Sequence, residues 1–484
     1  MEGKSSNSPL KAGIGYTISN FIVKGMAFIS MPIFTRFMTV DDIGSFANIQ
    51  SWFTILAILT TFEIYSSVQL AQFDYRGELD KYIASTLILG TLITLLFLII
   101  IIMFMPFFEK LFNMDKDVII LLFIYLLVYP AIQMFQIRNQ IRFNYKPTII
   151  ISVGSTFVAT AVSLAGVFFF TDQLRGRLYG YYIPLIAFTV SIYFYLLVKS
   201  GGVSTRYWSY ALSISFPLIW HLLAANILNS SDRIMITSLS GLGETALYSV
   251  AYSCGMIVTL LWGSLNAAWS PWAYQQMDED KPYNLRIKSK PYTVFFVFVV
   301  FVFILFSPEL LHLMGGKVYM KAVYVIPPVA VGFIFQFIYS LYVNIEFYFK
   351  KQSYIALGTL ISAVVNIMLN FLLIPTYGYI AAAYTTMAGY YCLLVIHYLF
   401  VKKLHRTDWY DTKFFVKIVI IAFSFVPIST IMYSIIWLRI TIICLLFGGM
   451  LFFLIKNRKT IRECWLKRSF MPLMKIDILS KLSK

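Results

Sequence analysis

Six ionisable or polar residues of this chain stand inside long apolar runs. Lys24 lies about halfway along the run 13–35, Glu63 lies in the run 44–70, and His221, Asn226, Asp232 and Arg233 lie in the run 211–239. Arg36 closes the first of these runs. An ionised side chain at membrane depth is expensive, so such residues serve ligands, ion pathways or buried pairs. Lys24 reads as a fixed cation facing a wet cavity, suited to an anionic ligand. Snorkelling is the alternative, but from mid-helix either interface is about 15 Å away. Asp232 and Arg233 are adjacent, so they point about 100° apart on a helix. Two arrangements stay open: Arg233 in the cavity with Asp232 in an inter-helix seam, or the reverse. A structural ion pair locking the surrounding helices is the plainer alternative. Glu63 serves either to neutralise Lys24 in the empty state or as a protonation site, against the plainer role of an interfacial carboxylate. His221 is a further candidate cavity contact, with an inter-helix hydrogen bond as its alternative. Arg36 is expected to anchor the end of its helix or to form a gate pair.

Other chemistry finds no support. There is no GxxxxGK[ST] phosphate loop, no HExxH and no pair of carboxylates in an aqueous loop. The four cysteines, Cys254, Cys392, Cys444 and Cys464, form no CxxC pair, and three lie in apolar runs, so neither a metal site nor a disulfide framework is expected. The chain is therefore not expected to be an enzyme or to hold a cofactor. Its energy source would be a proton or sodium gradient, or the gradient of its cargo.

The elements that carry these residues follow from composition. The 484 residues are 59% apolar, 18% aromatic and only 13% charged, about half the charge of a soluble domain. Mean hydropathy is +0.77. This excludes a soluble enzyme, a secreted disulfide scaffold and a disordered chain, and supplies apolar residues for roughly 14 membrane helices. Fourteen spans are expected near 13–35, 44–70, 83–105, 118–137, 147–170, 179–198, 211–239, 246–271, 292–311, 323–349, 354–374, 378–400, 414–436 and 440–455. With both termini cytoplasmic, inner segments hold 28 Lys and Arg against 8 in outer loops. The positive-inside rule thus accounts for most of the net charge of +17 without nucleic acid. Lys417 reads as a snorkelling anchor. The first run has no cleavage site after it and is expected to remain. Residues 457–484 belong to a basic, aromatic-dotted tail expected to lie on the anionic leaflet. Helix bends are expected at Pro32, Pro130, Pro217 and Pro327-Pro328.

An internal repeat appears at an offset of 202: Asp42–Ser51 lies over Glu244–Ser253, Lys24 over Asn226 and Thr35 over Thr237. It pairs the first span with the seventh and makes Asn226 a candidate binding residue beside Lys24. Six spans per half then give two lobes, 1–203 and 204–409, followed by the last two spans (410–456) and the tail (457–484).

Three stretches carry a family resemblance. They are Gly25–Ser51 with Pro32, Thr35-Arg36 and Gly44; Asn226–Arg233 followed by Leu247–Tyr252; and Asn370–Ala383 with its Leu-Ile-Pro-x-Tyr-Gly core. Over roughly residues 10–405 the chain resembles bacterial polysaccharide-repeat flippases of the Wzx type. These belong to the multidrug/oligosaccharidyl-lipid/polysaccharide exporter superfamily. The resemblance implies an all-α integral membrane protein with two pseudo-symmetric six-helix lobes around a V-shaped central cavity, plus two C-terminal helices. It implies a monomer in the bacterial plasma (inner) membrane, flipping undecaprenyl-diphosphate oligosaccharide by alternating access for O-antigen, capsule or exopolysaccharide. Lys24 and Arg233 would bind the diphosphate, and Glu63 or Asp232 would take the coupling ion. Membrane lipids, a polysaccharide polymerase and a chain-length regulator are the partners it implies. A cation-coupled multidrug antiporter of the same superfamily is the alternative. A membrane polysaccharide polymerase, which needs a long catalytic outer loop, is the alternative from another class.

Overall fold

Within a bilayer no water pairs with backbone amides and carbonyls, so a spanning segment must be helical. The computed structural model describes residues 9–198 and 202–456, and among these all regular structure is helical. The basic stretch 457–484 lies outside the described residues. The helices are α1 (Pro9–Phe37), α2 (Val40–Thr61), α3 (Val68–Asp74), α4 (Leu79–Met103), α5 (Met105–Phe112), α6 (Lys116–Ile141), α7 (Tyr145–Phe169) and α8 (Gln173–Leu197). There follow α9 (Thr205–Ser240), α10 (Leu242–Asp278), α11 (Pro282–Tyr319), α12 (Ile326–Tyr348), α13 (Gln352–Lys403), α14 (Thr412–Met432) and α15 (Ile436–Lys456). Short 3-10 turns occupy Ile64–Ser67, Met320–Val325 and Thr407–Trp409.

All fourteen expected spans are present. Eleven stretches are long and apolar enough to cross a membrane. Two of them, Pro282–Tyr348 and Gln352–Lys403, each hold a pair of spans, and α15 adds the last. The pair inside α13 meets at Gly378, whose φ of 62° and ψ of −153° break the helix.

Several helices run beyond the expected spans, α11 by most, at Pro282–Tyr319 against 292–311, and three further departures have a clear physical cause. The second span was expected to continue to residue 70, but α2 ends at Thr61. Phe62 and Glu63 then take left-handed φ values of 51° and 53°, and the chain re-enters helix through the turn Ile64–Ser67. The amide of Glu63 bonds instead to the Thr61 hydroxyl (3.3 Å). The pair Pro327-Pro328 was expected to bend a span, yet it opens α12, where a missing N–H costs nothing. The junction of the last two spans falls four residues early. Arg439, expected in the link, sits in the first turn of α15, and both of its terminal nitrogens grip Glu309 at 2.7 and 2.8 Å.

The helices group into two compact units. The first takes the chain to Val250 together with Leu313–Tyr319 and Ile367–Ala382. Its core is built on α6, whose Ile119, Leu122, Phe123 and Leu126 are buried against Ile49 of α2 and Leu178 of α8. At one end of α6, Arg138 grips Asp80 of α4 with two bonds of 2.7 and 3.1 Å. The second unit takes Ala251–His312, Met320–Asn366 and the chain from Ala383. It is built around α12, which is mostly apolar and buried along almost its whole length. Phe296 stacks on Phe337 and Trp269 on Tyr292, each with centroids 4.4 Å apart. Near the end of α12, Glu346 is wholly buried, with both carboxylate oxygens 2.9 Å from Nδ1 of His397, itself wholly buried.

Candidate functional site

The candidate residues of α1 and α9 all belong to the first unit and can be built up helix by helix. On α1, Lys24 is exposed, and among the described residues no hydrogen bond or ion pair reaches it. It is not isolated in character. Thr17 and Asn20 are also exposed, and the spacing i, i+3, i+7 puts all three on one helix face. Ile18, Phe21, Ile22 and Ile29 supply the exposed apolar surface of the same helix.

On α9 the same spacing recurs: Asn226, Asn229 and Arg233 share one face. The amides of Asn226 and Asn229 donate to carbonyls one turn back, at Leu222 (3.0 Å) and Ala225 (2.8 Å). Arg233 donates to the Asn229 carbonyl at 3.2 Å, with its guanidinium 5.8 Å from the Tyr248 ring centre. Neighbouring Ser230 lies 3.5 Å from Thr54 of α2, and Ile219 and Leu223 pack on Ile55 and Ile58. Each half of the chain therefore opens on a helix with a polar stripe ending in a cation.

Asp232 points elsewhere. It is 1% exposed. One oxygen accepts the Tyr248 hydroxyl at 2.6 Å and the other accepts the Asn370 amide at 2.7 Å. Of the two arrangements left open by sequence, Asp232 occupies the seam, where it joins α9 to α10 and to the first half of α13. A carboxylate there costs several kcal/mol unless its lone pairs are met, and these donors meet them.

The remaining candidates are dispersed. His221 is half-buried, and its buried Nδ1 has no hydrogen-bond partner among the described residues. Glu63 accepts a bond from the Tyr65 hydroxyl, and its own carbonyl accepts from Ser215 of α9 at 3.3 Å. Among the described residues no ion pair joins it to Lys24. Arg36 donates to the carbonyls of Pro32 (2.7 Å) and Leu313 (3.2 Å), so the observed partners are backbone and not an acid.

Arg36 belongs to a wider junction that sequence reasoning missed. Thr35 donates to the Met314 carbonyl at 2.6 Å. Gly44 meets the start of α10 so closely that a Cβ there would lie 2.0 Å from the Leu242 carbonyl oxygen. Glu244 of α10 accepts the Tyr379 amide at 2.9 Å beside the Gly378 break. At the centre is Arg177 of α8, buried, with its guanidinium 3.9 Å from the Phe34 ring centre and 3.6 Å from that of Phe46. Within the first unit the segment 313–319 is thereby held to the end of α1, and the segment 367–382 to α10 and, through Asn370, to α9.

Among the described residues no three His, Cys, Asp or Glu side chains are placed to hold a metal ion. The arrangement offers charge and hydrogen bonds for binding.

The sequence matches a family model described as polysaccharide biosynthesis protein over residues 10–277. An uncharacterized membrane protein of Methanocaldococcus jannaschii is 21% identical over 462 residues, covering 86% of this chain and 88% of the relative. The fold is similar to that of the lipid II flippase MurJ in an inward closed conformation. That match has a TM-score of 0.72 at 16% identity and covers 93% of this chain and 100% of that one. It is also similar to an inward-facing multidrug resistance MATE family transporter of the MOP superfamily, with a TM-score of 0.57 at 12% identity, covering 80% of this chain and 95% of that one. A MOP superfamily transporter from Pyrococcus furiosus matches with a TM-score of 0.53 at 12% identity, covering 83% and 97%. The all-helical, many-span fold expected from the sequence is thus the fold observed.

Proposed function

Since the chain belongs to the polysaccharide biosynthesis protein family, we propose that it flips lipid-linked oligosaccharide repeat units across the bacterial plasma membrane. The cargo class is an oligosaccharide on undecaprenyl diphosphate, built in the cytoplasm and delivered to the outer leaflet for a surface polymer such as O-antigen or capsule. Its apolar tail stays in lipid. Its diphosphate and glycan need a wet, cationic path to avoid the cost of bare charge in hydrocarbon.

The observation that carries this reading is the pair of matched stripes, Thr17-Asn20-Lys24 on α1 and Asn226-Asn229-Arg233 on α9. Asn and Thr suit glycan hydroxyls, and a terminal cation in each suits a diphosphate. Alternating access would expose the stripes to one side and then the other. The junction around Arg177 and Gly44 would be the outer closure, and its release would open the path outward. Asp232 would sense the coupling proton or sodium ion, because a change at its carboxylate alters the bonds to Tyr248 and Asn370 that join three helices.

The test is made in cells. In a deletion strain, undecaprenyl-linked repeats should accumulate on the cytoplasmic face and surface polymer should disappear. Wild type should restore export, and Lys24→Ala should not, while reaching the membrane in normal amount. Normal export by Lys24→Ala would sink the stripe mechanism. Unchanged polymer with raised sensitivity to cationic drugs would instead identify a multidrug antiporter.

A further inference from the structure

A second cationic site lies in the second unit, at the end of the helices where α11 and α14 begin. A cavity of about 660 Å³ opens there, lined by Arg286 and Lys290 of α11 and by Lys413 and Lys417 of α14. The acids on its wall are Asp408 and Asp411. Both cation pairs are spaced i, i+4, so each presents two charges on one helix face. Asp411 is committed: it pairs with Lys290 at 2.6 Å and caps α14 through the Phe414 amide at 3.1 Å. The Lys290 ammonium holds the Asp411 carboxyl below the usual carboxylate range, so this pair stays charged and neutral overall. Arg286, Lys413 and Lys417 are exposed, Arg286 also lies in the field of Asp411, and Asp408 is the other acid of the lining. The cavity thus keeps an excess of two positive charges in a volume suited to a small ligand.

What adjoins the cavity indicates the occupant. Lys413, Val416, Lys417 and Ile420 follow the i, i+3, i+4, i+7 rule and lie on one face of α14. Val416 and Ile420 are 51% and 59% exposed. One face therefore passes from cations at the helix start to bare apolar surface within two turns. We propose that the cavity binds the phosphate of an anionic phospholipid of the adjoining leaflet, with an acyl chain laid along Val416 and Ile420. Basic pockets between membrane helices take such headgroups by charge, and the apolar face distinguishes a lipid from a soluble anion. This site is separate from the cargo stripes, and its assay does not depend on transport.

The experiment is native mass spectrometry of the full-length protein in detergent, titrated with phosphatidylglycerol or phosphatidylcholine. Wild type should retain one phosphatidylglycerol that Lys413→Gln/Lys417→Gln loses, with affinity lower by about 30-fold, the effect of two cations at a membrane surface. Asp408→Asn should bind more tightly, a gain that misfolding cannot produce. Lys402→Gln/Lys403→Gln, which removes cations that do not line the cavity, should match wild type, and phosphatidylcholine should distinguish none of them. Equal phosphatidylglycerol retention by wild type and Lys413→Gln/Lys417→Gln would overturn the proposal. So would displacement of the lipid by inorganic phosphate at an ionic strength where chloride displaces none, since the site would then take a soluble anion.

Discussion

Lys24 and Arg177 are cations of the same unit with opposite surroundings, and their substitutions should separate. Lys24 stands exposed on a polar stripe, so replacing it should remove cargo binding and leave thermal stability unchanged. Arg177 is buried between Phe34 and Phe46, and each ring offers its negative face to the guanidinium. Arg177→Ala should lower stability by about 2–4 kcal/mol, the scale of a desolvated cation–π clamp plus lost packing. Arg177→Lys should recover little of it, because a compact ammonium cannot lie flat against two rings. Thermal unfolding in detergent checks both; an Arg177→Ala protein as stable as wild type would show that the clamp holds nothing. The two residues also differ in how visible they were. Lys24 stood out because an apolar run surrounds it. Arg177 did not, because the polar stretch 171–178 reads as a loop, whereas the helix begins at Gln173 behind the cap of Asp172. Asp232 was half visible: its depth followed from hydropathy, but Tyr248 and Asn370, its partners, are 16 and 138 residues away.

At the scale of helices, the second unit depends on how α12 meets the second half of α13. Glu346 and His397 are buried together there. Removing one partner leaves a polar group stranded, whereas replacing both with apolar residues leaves none. Glu346→Ala should therefore cost about 3–5 kcal/mol, and Glu346→Leu/His397→Phe distinctly less. A double-mutant cycle on unfolding midpoints measures the difference; additive losses would show that the pair is not coupled. This contact was illegible beforehand. Each residue sits about one turn from a Lys-Lys pair, Lys350-Lys351 and Lys402-Lys403, so each read as part of a wet boundary. The spans themselves were legible, all fourteen of them, because the bilayer imposes one length and one hydrogen-bonding pattern on every crossing. Breaks within spans were not. The left-handed Phe62-Glu63 carries no glycine or proline to announce it, whereas the break at Gly378 falls at the expected boundary between the spans 354–374 and 378–400.

At the scale of the molecule, a carrier must open and reseal at one end many times. In the first unit a junction is formed by Gly44 against Leu242, by Thr35 and Arg36 against the carbonyls of residues 314 and 313, and by Arg177, and the proposed cycle would open and close there. Any side chain at 44 would overlap the Leu242 carbonyl, so Gly44→Val should hold the junction apart. A cysteine placed at Leu242, in a protein without its four native cysteines, should then react faster with a membrane-impermeant maleimide, and export should fall. Unchanged labelling and export would mean that the close approach is incidental. Gly44 brings main chain against main chain, and such a contact has properties that a salt bridge lacks. It contains no rotamers to freeze, so closing loses little entropy. It contains no ionisable group, so neither acidity nor salt weakens it. A seal of this kind slides like a dry bearing: it resists leakage by shape, and it parts without waiting for water to rehydrate a charge.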